Sequence, residues 1–203
     1  MTDFDKALAE IAAIRGQVAR ATRFHGLGAA TLAATGLLAA VAASSQAAWL
    51  PVPADDVETW LALWCGVAAL CAMLIGLEMV MRTSRARLGL AQEMIVTAVG
   101  RFTPAAVAGV LVTAVLYQRA PGSMWMLPGI WQVVFSLGLF ASRDSLPPGI
   151  GLAGVWYLAT GTVCLSLGAG EFAFAPWLMG FPFAAGQILL AAIVWHHAGE
   201  SDE

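Results

Sequence analysis

Four polar side chains stand inside otherwise apolar stretches and are the first candidates for chemistry: Glu78, Arg101, Gln132 and Gln187. An ionised group within a membrane is costly, so it either pairs, snorkels to the interface or takes part in proton or solute movement. Glu78 and Arg101 belong to neighbouring stretches, which makes a Glu78–Arg101 pair one expectation. Arg82, four residues after Glu78 on the same helix face, is the rival partner. Gln132 and Gln187 carry amides suited to bridging helices across an apolar interior. Pro182, followed by Gly186 and Gln187, marks where a broken helix would release backbone carbonyls, and Pro104 and Pro128 lie within or near other apolar stretches.

Other groups point to packing. Gly149-Ile-Gly-Leu-Ala-Gly154 matches the spacing G-x-G-x-x-G, but no strand precedes it and no acidic residue follows in a strand–helix–strand unit. Close helix contact through small residues is the expected role, as it is for Gly26, Gly28 and Gly36. Cys65, Cys71 and Cys164 are odd in number and all lie in apolar runs, which argues against a disulfide framework. Cys65 and Cys71 are six residues apart and should face different sides of a helix, away from any shared metal site. His196 and His197 point about 100° apart and chelate poorly; they suit a helix C-terminus. His25 is expected at the interface. No nucleophile with a paired base, no H-E-x-x-H and no phosphate loop is visible, so no enzyme activity, cofactor or metal is expected.

The elements that must position these residues are long and apolar. Of 203 residues, 60% are hydrophobic and 11% charged, whereas a soluble domain carries about 25% charged residues. The uncharged runs are 24–54, 59–77, 102–118, 120–142, 145–170 and 172–199. About 20 residues cross a hydrocarbon core as a helix. The run 102–118 becomes long enough if its helix begins near Met94 and carries Arg101 inside. Uninterrupted apolar runs do not alternate as barrel strands do, and lipid requires each backbone group to be satisfied within its own segment. The fold class is therefore all-α: a polytopic transmembrane helical bundle of about six spans over residues 24–199, with short links after the third span making consecutive helices antiparallel neighbours.

Residues 1–23 differ. Thr2 can cap a helix, Asp3 and Asp5 follow in its first turn, and Phe4, Leu8, Ile11, Ile14 and Val18 recur at helical spacing opposite Lys6, Glu10, Arg15 and Arg20. This is an amphipathic cytoplasmic or interfacial helix, or a docking helix for another protein. Its length and acidity separate it from a signal peptide, although Ser44-Ser-Gln-Ala resembles a cleavage site. Residues 200–203 form a short acidic tail. Lys6, Arg15, Arg20, Arg23, Arg82, Arg85, Arg87 and Arg143 fall on one side and only Arg119 on the other, which carries Asp55, Asp56, Glu58 and Glu171. This bias predicts both termini in the cytoplasm. Net charge is −3 and there is no basic stripe, so nucleic acid is not an expected partner. Pro followed by Trp begins the spans that run inward, near Trp60, Trp64, Trp125, Trp131 and Trp177. Helix-start and interface preferences explain this, with three related hairpins as the alternative.

Ile14-Arg15 with Ala21-Thr-Arg-Phe, the basic Arg82–Arg87 segment, and Trp177-Leu-Met-Gly-Phe with Gly186-Gln together resemble a family of small, uncharacterised six-helix bacterial inner-membrane proteins. Its members are often encoded beside winged-helix regulators. The resemblance implies a regulatory partnership and supplies no catalytic residues. Three functions follow as expectations: a membrane sensor or anchor for a cytosolic regulatory partner, a small-solute transporter, or a structural subunit of a larger complex or homo-oligomer.

Overall fold

The computed structural model describes residues 28–50, 52–85 and 89–199. The amphipathic segment 1–23, Gly26, His25, Arg87 and the tail 200–203 lie outside the described residues. Six helices carry the fold: α1 (Ala29–Trp49), α2 (Val57–Arg85), α3 (Gly89–Arg119), α4 (Leu127–Ser142), α5 (Ile150–Leu167) and α6 (Pro176–Gly199). Short 3-10 turns precede α4, α5 and α6. All six helices are long and apolar enough to cross a membrane, α4 together with its flanking 3-10 turns. Large apolar side chains such as Leu37, Met73, Val80, Val110, Leu152, Ile188 and Trp195 are exposed around the bundle. In water such a surface would associate; in lipid it is solvated. The chain is a multi-pass helical membrane protein.

Helix starts follow local chemistry. Asp56 Oδ1 accepts the Thr59 N–H at 3.0 Å and caps α2. Pro128 and Pro176 occupy first-turn positions, where a missing N–H is harmless. Gly149, the residue before α5, has φ +92°, a conformation glycine adopts without strain. The extension of the third span past Met94 is realised: α3 starts at Gly89 and carries Arg101 within it.

The packing order is a ring that does not close. α1 packs most extensively on α6, α4 on α5 and α3 on α4, while α2 leans on α1 and α5 on α6. α2 and α3 barely touch. The expected antiparallel neighbours after span three are present, and α6 returns to α1. Small residues permit the closest crossings. A Cβ on Gly36 would lie 3.0 Å from the Ala184 carbonyl oxygen, and one on Gly129 would lie 2.7 Å from that of Gly161. Gly154 packs on the Phe140 ring, the role expected of the glycine-rich segment.

The bundle end holding Gly28 and Ala198 is termed proximal, and that holding Leu50, Ala120 and Phe172 distal. One apolar core lies near the distal end around Trp60, Trp64, Met124, Leu127 and Phe174; the other lies nearer the proximal end around Leu32, Leu139, Ile150, Tyr157 and Leu190. Trp60 and Trp64 stand early in α2, near the distal end, with their rings turned into the bundle. Both are buried, and Trp60 stacks on Trp131 at 5.5 Å. Their rings share the distal core with Ala39 and Ala42. Trp49 and Trp195, near helix ends, are exposed.

Candidate ligand cavity and its polar supports

The unclosed seam between α2 and α3 leads into a cavity of about 660 Å³. Its walls are Trp64 to Met79 of α2 and Ala98 to Val110 of α3, and its floor comes from α1, α4 and α6. Trp64 and Met79 are separated by fifteen helical rises of about 1.5 Å, which gives the cavity a length of about 22 Å, most of a hydrocarbon core. Among the described residues no charged side chain lines it. Its few polar groups are Thr35, Thr103, Ser142, Trp64, Trp131, Gln187 and the thiols of Cys65 and Cys71. The two thiols therefore contribute to one cavity wall, although six-residue spacing suggested separate faces. The cavity is broad enough to take in more than one helix face.

The hydroxyls spend their protons inside the protein. Thr35 Oγ1 donates to the Leu32 carbonyl at 2.7 Å, Thr103 Oγ1 to that of Val99 at 2.7 Å, and Ser142 Oγ to that of Ala98 at 3.2 Å. Trp131 Nε1 donates to Thr113 Oγ1 at 2.8 Å, tying α4 to α3. Gln187, halfway along α6, is more than nine-tenths buried, and its Oε1 has no hydrogen-bond partner. The Tyr157 hydroxyl beside it is also buried, and the Gln187 amide is the polar group it meets.

Gln132 belongs elsewhere. It is fully buried among α4, α5 and α6 and does not line the cavity. Pro182 has no N–H to give the Leu178 carbonyl four residues earlier. Gln132 Nε2 fills that vacancy, donating to Leu178 O at 2.8 Å and to Pro128 O at 3.0 Å. The Cys164 thiol lies 3.3 Å from both Gln132 Nε2 and Leu178 O. Gln132 is thus the interhelical bridge expected, and Pro182 is what creates the carbonyl it serves.

Two supports, one buried and one exposed, have no expectation in the sequence analysis. Gln46 Nε2 donates to the Phe174 carbonyl at 2.7 Å, and its Oε1 accepts from Trp64 Nε1 at 2.8 Å. These bonds help hold Phe174 at φ +59°, a strained value for a residue with a side chain. Gln46 interrupts an apolar run as Gln132 does, so the same signal could have found it. Tyr117, whose hydroxyl donates to Glu58 Oε1 at 2.9 Å, joins α3 to α2 at the distal end.

The proximal charges pair differently from the interhelical expectation. Glu78 Oε1 accepts from Arg82 Nε at 2.9 Å, and its Oε2 accepts the Gly28 N–H at 3.1 Å. Arg101 instead approaches Asp144 at 3.6 Å. The Glu78–Arg101 pair does not form, because α2 and α3 stand apart at the seam while one helical turn brings Arg82 to Glu78. A carboxylate beside the start of α1 also meets the favourable end of that helix dipole. Exchanging the charges of Glu78 and Arg101 should therefore give no rescue of expression or thermal stability. Glu78→Gln alone should cost about 0.5–1 kcal/mol in an unfolding titration. Restoration of wild-type stability by the double exchange would refute this pairing.

Comparison of the chain with protein-family models, curated proteins and solved structures finds no match. The functional reading therefore rests on the cavity and its supports.

Proposed function

We propose that this protein is an intramembrane receptor for a hydrophobic molecule, admitted from the bilayer through the α2–α3 seam, and that a cytosolic partner reads its occupancy. The cavity carries the reading. Its volume falls within the range of small-molecule sites, about 300–1,000 Å³. Its wall is apolar, and its opening lies between two helices that do not pack on each other.

The proximal bonds support the relay. α2 forms one cavity wall, and its Glu78 holds the Gly28 N–H at the start of α1. A ligand that shifts α2 thereby acts where the chain continues toward residues 1–23, the amphipathic candidate for docking. The unequal distribution of Lys and Arg supports placing this end in the cytoplasm of a bacterial inner membrane. The resemblance to membrane proteins encoded beside winged-helix regulators supports a regulatory partner. This is a binding role rather than a catalytic one.

Organic extracts of the protein purified in nanodiscs should contain a hydrophobic molecule in about stoichiometric amount, detected by mass spectrometry. Extracts indistinguishable from those of empty nanodiscs would count against the receptor reading.

A further inference from the structure

Resting on the receptor reading of this same cavity, we infer that the ligand is an uncharged hydrophobe bearing a hydrogen-bond donor, a hydroxyl-bearing molecule, which meets Gln187 near mid-membrane. Three observations lead there. First, no charged side chain lines the cavity among the described residues, so a ligand charge there would be uncompensated. Second, the lining hydroxyls of Thr35, Thr103 and Ser142 have given their protons to backbone carbonyls and keep only lone pairs. Those lone pairs stand beside the Gln187 amide and the Cys65 and Cys71 thiols, so a hydroxyl, which both donates and accepts, is the complementary group. Third, Gln187 Oε1 is a buried acceptor with no partner on a side chain that lines the cavity. Such an atom carries a desolvation cost that a donor removes. The last torsion of a glutamine side chain is broad, so the amide turns its oxygen toward the cavity at little cost.

Position excludes an ordinary phospholipid as the partner of Gln187. Gln187 sits halfway along α6, at the depth of acyl chains, whereas phospholipid polar groups sit at the interface. A molecule whose polar group enters the hydrocarbon region must be neutral and otherwise apolar.

The test uses the full chain in nanodiscs with two probes, 16-bromohexadecan-1-ol and 1-bromohexadecane. Bromine quenches tryptophan, and Trp64 and Trp131 line the cavity. A reporter control with both replaced by phenylalanine identifies the cavity signal. Both probes should quench saturably, the alcohol at about tenfold lower mole fraction, as one hydrogen bond allows. Gln187→Leu, and the closer isostere Gln187→Met, should abolish the preference while leaving alkane quenching intact. Equal quenching by the two probes, or a preference indifferent to both substitutions, overturns the inference and leaves the cavity reading standing. Absence of saturable quenching through Trp64 and Trp131 by either probe overturns the cavity reading itself.

Discussion

Gln132→Leu should destabilise the protein by about 1–2 kcal/mol, and Pro182→Ala should remove most of that cost. Gln132 gives its amide protons to the carbonyls of Leu178 and Pro128. Leucine fills comparable space but leaves Leu178 O without its strongest donor, buried where water cannot replace it. That carbonyl needs a side-chain partner only because residue 182 is proline. With alanine there, the residue 182 N–H returns to Leu178 O and the helix satisfies itself. A double-mutant cycle in mixed-micelle unfolding should give a coupling of about 1 kcal/mol between positions 132 and 182, though their side chains belong to different helices. Additivity within about 0.3 kcal/mol would show that the amide stabilises the bundle by some other route. Gln132→Met, flexible and apolar, should behave as leucine does.

How far the sequence reached depended on the kind of signal. Uninterrupted apolar runs forced helices, and their lengths forced spans, because lipid leaves the backbone no other way to satisfy itself. Polar residues in those runs were equally visible: Gln132 and Gln187 stand out wherever the fold places them. Their partners were not visible. Nothing local says that Leu178 supplies the carbonyl, although Pro182 pointed to a vacancy four residues before itself. The charges misled for a related reason. Adjacency in sequence made Glu78 and Arg101 plausible partners, but α2 and α3 are the two ends of an open ring, and which pair of helices fails to close is a property of the whole packing order. Tryptophan was ambiguous in the same way. Its interfacial preference fits a place near a helix start, yet does not say that the Trp60 and Trp64 rings turn into the bundle. The cavity had no local signature at all. Its walls are mostly alanines, valines and glycines, indistinguishable in sequence from lipid-facing ones.

That last difficulty can be turned into a decisive experiment, because α2 carries two glycines that differ in direction. Gly76 lines the cavity, Gly66 does not, and a Cβ at either position would meet no atom within 4 Å. Gly76→Phe and Gly66→Phe therefore relieve the same helix-propensity penalty, about 0.5 kcal/mol each, without steric cost at the first carbon. Only Gly76→Phe places a ring in the cavity, where it gains dispersion contacts with α3 and the floor across the gap that α2 and α3 leave open at that level. It should raise the unfolding free energy more than Gly66→Phe does, by about a further 0.5–1 kcal/mol. It should also weaken saturable quenching by 16-bromohexadecan-1-ol at least about tenfold, since the ring occupies the volume the probe requires. Gly66→Phe should leave quenching at the wild-type level. The opposed signs matter: a substitution that merely damaged the fold would lose both stability and binding, whereas filling a ligand site strengthens the empty protein and weakens the complex. Equal probe binding in the two variants would mean that the space between α2 and α3 is occupied by bulk lipid alone.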